Sequence, residues 1–215
     1  MPKKPSNGPL PPMGKREENK QDKLARIIAA ARRIFAEKGF ESATVQEIAR
    51  EARVATGTLF LYADTKRDIA FLAVLADYEA AMAEALAVPD DLPVLEQVMG
   101  CFLPYLRFDH AQPEIAKVML SELLFFTLGK HAQRHGGRVS ALKQELERRF
   151  GAALARGEIL PGGDVADMAE LAYVIFQGET RAWLRDGAKD LAEGTARLRR
   201  ILALGLAGVM RRPVG

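Results

Sequence analysis

Residues 44–62 read TVQEIAREARVATGTLFLY, a stretch that divides into two short helices joined by a tight turn. Thr44 followed three residues later by Glu47 is a capping-box pattern. Val45, Ile48, Ala49 and Ala52 then fall on one face, and the helix ends near Ala52. A second short helix is predicted from Thr56 to Tyr62, with Val54 in the turn and Leu59 directed at the core. Upstream, Leu24, Ile27, Ile28, Ala31, Ile34 and Phe35 recur at spacings of three and four, the stripe of a longer amphipathic helix from about Glu17 to Lys38. Gly39 suits the left-handed residue that ends such a helix, and Phe40 its closing apolar contact. Two short helices braced by a longer one make a helix-turn-helix.

Beyond it, Thr65 and Asp68 form a second capping-box pattern, opening an alanine-rich helix to about Val88 that Pro89 and Pro93 close. The pattern then stays helical: about Pro93 to Phe108, Pro113 to Gly129, Val139 to Ala155, Val165 to Asp186 and Lys189 to Arg211. Breaks are expected at His135-Gly136-Gly137 and Pro161-Gly162-Gly163. No alternating β-branched run occurs. The expected fold class is all-α with about nine helices: an arm over residues 1–20, a helix-turn-helix domain over 21–66 and a larger helical domain over 67–215.

Composition bounds the function class. Of 215 residues, 48% are hydrophobic and 27% charged, ordinary for a globular protein, and no apolar run reaches the ~20 residues that cross a bilayer. No membrane partner is expected. Met1 to Lys20 carries Lys3, Lys4, Pro9, Pro11, Pro12 and Gly14 but lacks the apolar segment of a secretory signal, so a cytoplasmic protein with an unstructured arm is expected. Cys101 is the single cysteine, which excludes an intramolecular disulfide and a CxxC site. His131 and His135 lie four apart without a third ligand, so neither metal nor cofactor is expected. Residues 1–66 hold 13 Lys/Arg against 8 Asp/Glu, and residues 67–215 hold 18 against 20. The basic excess lies at the helix-turn-helix end, where a polyanion would be met.

The stretch Arg26 to Ala31 with Ile34 to Phe40, then Ala43 to Ala49, Val54 to Tyr62 and Lys66 closely resembles the N-terminal domain of TetR-family transcription regulators, over about residues 23 to 70. The resemblance implies that Gln46, Thr56, Gly57, Thr58 and Phe60 meet base edges. Gly57 allows close backbone approach, the Thr side chains can hydrogen-bond a base or touch a thymine methyl, and the Gln46 carboxamide suits adenine. Thr44, Tyr62 and Lys66 match positions that hold phosphates. Four positions depart from the usual pattern: Arg53 stands where the turn usually has Gly, Ala55 replaces a capping Ser, Phe60 replaces Tyr, and Ala63 replaces a usual Phe.

In that family the C-terminal body dimerises through its last two helices and binds a small effector among the middle ones. Leu202, Gly205, Leu206, Gly208 and Val209 are the corresponding candidates for a dimer face, with packing inside the chain as the alternative. Phe102, Tyr105, Met119, Phe126, Tyr173, Phe176 and Gln177 are candidates for an effector pocket, with an ordinary aromatic core as the alternative. The expected function is a ligand-responsive homodimeric repressor on a pseudo-palindromic double-stranded DNA operator, its small-molecule effector unknown. An activator of the same fold and an all-α adaptor with an incidental basic end stay open. An enzyme is not expected, since no Cys/His/Asn set and no phosphate-cradling glycine loop is present.

Overall fold

A computed structural model describes residues 14–122 and 129–208. Among them run α1 (Lys15–Ser42), α2 (Val45–Glu51), α3 (Thr56–Leu59), α4 (Lys66–Leu86), α5 (Val94–Ala111), α6 (Pro113–Glu122), α7 (Lys130–Ala155), α8 (Val165–Arg185) and α9 (Leu191–Leu206). The all-α expectation and the helix-turn-helix order hold. Helix α1 starts at Lys15, two residues before the expected Glu17, so the arm expected over residues 1–20 gives way to helix from Lys15 on. Gly39 breaks α1 with φ 72° and ψ 169°, positive as expected but more extended than the left-handed helical region, and Phe40 packs 5.5 Å from Phe35.

One expected break does not occur. Helix α7 passes through His135-Gly136-Gly137 without interruption and begins nine residues before the expected Val139. Each interior Gly costs about 1 kcal/mol relative to Ala. Burial of His131, Ala132, His135, Leu142, Leu146 and Phe150 along one face offsets that cost, while Gly136 and Gly137 lie on the exposed side.

The second capping box forms only in part. Thr65 Oγ1 accepts from the Asp68 amide at 3.0 Å, but the Asp68 carboxylate does not return to Thr65. Instead Asp68, fully buried, accepts from the amides of Asp64 (3.0 Å), His131 (2.8 Å) and Ala132 (3.2 Å). One carboxylate therefore serves the first turn of α4 and the N-terminus of α7, where orphan amides and the helix dipole favour negative charge. Gly129, at φ 117°, precedes α7; a Cβ there would lie 2.6 Å from Asp68 Oδ1.

Deeper in the body, fully buried Arg149 donates to Gln97 Oε1 (3.1 Å) and to the Val88 carbonyl (3.0 Å) at the end of α4, and pairs with Glu145 at 2.8 Å. Its charge is thus paired and hydrogen-bonded, the condition on which a buried guanidinium is tolerated. Cys101 is buried beside this network, and burial pushes its thiol up to about 11, so it stays protonated and inert.

Asp68→Ala leaves the buried amides of His131 and Ala132 and the part-buried amide of Asp64 unsatisfied at once. The expected loss of folding stability is about 2–4 kcal/mol, measured by urea denaturation against an exposed control such as Asp91→Ala.

Candidate nucleic-acid interface and cavity

The helix-turn-helix is fixed by local chemistry at each joint. At its start the Thr44 hydroxyl accepts from the Glu47 amide (3.2 Å) while Glu47 accepts from the Thr44 amide (3.0 Å), closing the predicted box. Bonds from Lys38 and then Thr44 hold the Glu47 carboxyl down at about 2. At the end of α2 the Val54 amide bonds to the Ala49 carbonyl (3.0 Å) and the Arg53 amide to the Arg50 carbonyl (3.1 Å). Those two bonds make a Schellman ending with Arg53 at its left-handed position, φ 54°. Arg26 of α1 braces the turn by donating to the Ala52 carbonyl at 3.0 Å. Ala55 stands at the N-cap of α3 with no side-chain bond, as the missing hydroxyl predicts.

Helix α3 is one turn long and continues as turns to Tyr62, shorter than expected. Leu59 is fully buried and pins it to the core. Gln46, Gly57 and Phe60 are exposed, and Thr56 and Thr58 half-buried. The five residues expected to read bases thus occupy accessible positions on adjoining elements. Phe60 is 46% exposed and the following Leu61 77% exposed, an apolar edge suited to thymine methyls.

The three residues expected at phosphates are placed differently. Thr44 is exposed, but its hydroxyl donates to Glu47 at 2.9 Å. Tyr62 is half-buried and donates to the Lys20 carbonyl of α1 at 3.3 Å. Lys66 faces inward: its Nζ donates to the carbonyls of Phe40 (2.8 Å), Glu41 (3.1 Å) and Ala43 (3.1 Å) and lies 4.5 Å from the centre of the Phe40 ring. All three ammonium donors are occupied in closing the end of α1. Sequence reading passed over the basic residues Lys15, Arg16, Lys20 and Lys23, which together with Tyr62 and one anion, Glu17, paired with Lys20 at 3.5 Å, line a groove at the first turns of α1. Their signal was the spacing of cations on one helix, hidden because those residues were assigned largely to an arm.

The effector candidates separate into cavity wall and core. Tyr105, Tyr173, Phe176 and Gln177 line a cavity of about 30 Å³, room for one or two water molecules. Phe102 is fully buried behind it, stacked on Phe176 at 4.4 Å, and Met119 is fully buried in the core. Phe126 lies outside the described residues. The wall also includes Tyr78, Asp109, Leu120, His135, Arg138 and Leu142, which sequence reading missed because they come from four helices. Burial pushes the Asp109 carboxyl up to about 8, and burial with Arg138 nearby holds the His135 imidazole down at about 4, so both are uncharged at neutral pH. His135 packs against the Tyr78 ring at 5.1 Å and His131 Nε2 lies 2.7 Å from the Tyr62 carbonyl.

Of the dimer candidates, Leu202 and Leu206 are fully buried within the chain, because α9 turns that edge toward its own body. Gly205 and Gly208 are exposed, and Val209 lies outside the described residues. The apolar side chains left uncovered nearby are Leu171 (43%) and Val174 (54%) on α8 and Leu204 (72%) on α9.

Arg53→Gly relieves the left-handed residue and is expected to raise stability by about 0.5–1 kcal/mol, read by thermal unfolding; an unchanged or lower midpoint would show no strain to relieve. Asp109 has a folded pKa raised above its unfolded value, so the folded state holds a proton that the unfolded state has lost, and stability falls as pH rises toward 8. His135, with a lowered value, contributes its rise between about 4 and 6.5 and is silent above that. Between pH 6.5 and 8 the wild type is expected to lose about 1–2 kcal/mol and Asp109→Asn to lose less, measured by urea denaturation.

Residues 27–73 match the family model described as bacterial regulatory proteins, tetR family. The chain is 42% identical over 94 residues to the HTH-type transcriptional regulator HbdR of Aromatoleum sp. (strain CIB), covering 42% of this chain and 36% of that protein. It is 42% identical over 52 residues to the fatty acid metabolism regulator protein of Bacillus subtilis (strain 168), covering 24% and 27%. The matches thus span about a third of these relatives' length. In fold it is similar to the transcriptional regulator FadR from Bacillus subtilis in complex with stearoyl-CoA, with TM-score 0.69, 22% identity and coverage of 86% of this chain and 98% of that one. A TetR transcription regulator from Haloarcula marismortui gives TM-score 0.68 at 17% identity, covering 89% and 100%. Residues 27–73 thus match the helix-turn-helix domain of the tetR family of bacterial regulatory proteins, and the fold of the rest is similar to that of solved regulators.

Proposed function

We propose that the chain is a sequence-specific DNA-binding transcriptional regulator, a homodimeric repressor released or engaged by a small-molecule effector. The observation that carries the reading is the division of labour in residues 44–62: Ile48, Ala49 and Leu59 are buried, while Gln46, Gly57 and Phe60 are exposed with Thr56 and Thr58 beside them. A one-turn helix gains little stability by itself. Its outward residues are small, polar or flat, as a major-groove reader needs. The groove of Lys15, Arg16, Lys20 and Lys23 supplies flanking positive charge for phosphates.

The uncovered stripe of Leu171, Val174 and Leu204 supports a twofold contact through α8 and α9. Paired in that way, two heads about 34 Å apart would meet successive major grooves of a pseudo-palindrome. The cavity walled by Tyr105, Tyr173 and Phe176 supports an effector site. Helix α7 forms part of its wall at His135, Arg138 and Leu142, and one turn earlier touches the reader through His131. An effector that moves α7 would therefore act on the segment following α3.

Enriching fragmented genomic DNA on the protein yields candidate operators, on which affinity is measured against salt. Lys23→Ala is expected to weaken all duplexes alike and reduce the slope of log K against log salt by about 1. Thr58→Ala is expected to cost about 1–3 kcal/mol on the operator and relax discrimination at one base pair. Absent or salt-indifferent duplex binding would defeat the proposal. Val174→Glu is expected to halve the mass seen by light scattering; an unchanged dimer would move the interface elsewhere.

A further inference from the structure

The ionisable groups of the cavity wall are not equivalent. Asp109 and His135 are held uncharged by burial, whereas Arg138 brings a guanidinium to the wall from the side of α7. Its Nη2 pairs with Glu79, and its Nη1 is buried without a hydrogen-bond partner among the described residues. A buried guanidinium donor left unpaired costs roughly 1–3 kcal/mol, which an acceptor arriving with a ligand would recover. Outside, between α7 and α8, lies a groove of about 470 Å³ that shares Val139, Tyr173 and Gln177 with the cavity. Two cations, Lys143 and Arg181, and one anion, Glu170, line it. Lys143 pairs with Glu170, and Arg181 Nε is again buried without a partner, its Nη2 donating to the Leu120 carbonyl at 3.1 Å. The path from groove to cavity therefore offers unsatisfied cationic donors, and its one carboxyl with an unpartnered buried oxygen, Asp109, is held protonated by burial.

Size and shape restrict the occupant further. Tyr173 and Gln177 are half-buried and stand between groove and cavity, so their rotation joins the two volumes. Behind the cavity, Phe176 is stacked on fully buried Phe102 at 4.4 Å and 1°, and Met119 is fully buried. That wall stops a long chain but offers a flat apolar body the faces and edges of Tyr105, Tyr173 and Phe176.

We propose that this site takes a small aromatic monocarboxylate, its carboxylate held by Arg138 Nη1 and its ring placed among Tyr105, Tyr173 and Phe176. The assignment rests on the reading of this cavity as the effector site. Arg is suited to the task because its planar donors match a carboxylate and it stays charged when partly desolvated.

Isothermal titration of the full-length protein with benzoate, phenylacetate and trans-cinnamate, each beside its primary amide and the corresponding amine, tests the class. At least one acid is expected to bind tenfold or more tightly than its amide and its amine. Arg138→Met is expected to weaken that acid at least tenfold while leaving the amide unchanged, and Arg138→Lys to recover part of the loss. Circular dichroism and operator binding on the same preparations confirm that each variant is folded. Equal binding of acid, amide and amine, no binding of any acid, an Arg138→Met protein that binds the acid unchanged, or binding of stearoyl-CoA alone would each overturn the assignment. A wild type that binds its operator but no acid defeats only this inference; one that binds no DNA defeats the functional reading itself.

Discussion

The buried carboxylate of Asp68 is the interaction on which the arrangement depends. It sits in the first turn of α4 and accepts from amides at the start of α7 and from Asp64 in the segment that leaves the helix-turn-helix. Two helix N-termini converge on one negative group, and each has amides that its own backbone cannot satisfy. Gly129 is required beside it twice over, by its positive φ and by the closeness of the carboxylate. Around this centre Lys130 reaches the Leu61 carbonyl at 3.2 Å and His131 the Tyr62 carbonyl at 2.7 Å. Reader and body are joined by hydrogen bonds of fixed geometry as well as by apolar contact.

Helix α7 carries that joint at one end, then the wall of the cavity, then the Glu145 and Arg149 pair that closes the end of α4. In the proposed regulator, any ligand whose affinity depends on the position of α7 is by linkage coupled to whatever DNA requires of residues 61–64, and the coupling is reciprocal. The exposed glycines at 136 and 137 lie between His135 and Arg138 of the cavity wall. They weaken the helix locally by about 1 kcal/mol each at a place where the transmitted movement would have to pass.

Arg53 and Lys66 illustrate how polar groups are spent on framework in so small a reader. Arg53 closes a Schellman ending that glycine would close without strain. Lys66 places its three donors on carbonyls that terminate α1. Both are cations at the basic end of the chain, yet only Arg53 is exposed. Positive charge near a DNA reader is therefore not by itself a phosphate contact; the distinction lies in whether the donors already have partners.

The amino-acid sequence by itself determined the elements whose causes are local: the Thr44 and Glu47 box, the break at Gly39, the uncapped start at Ala55 and the inward Leu59, each set by residues within one or two turns. It determined the helix-turn-helix for the same reason, and four of the seven cavity candidates by helical spacing. Only the tertiary structure decided where long-range donors go. Asp68 left its own box for α7, Lys66 turned to α1, α7 continued through two glycines, and Leu202 and Leu206 packed inward. In each case a buried contact from a distant segment outweighed a local preference of about a kilocalorie per mole, and sequence spacing carries no record of which distant segment that is.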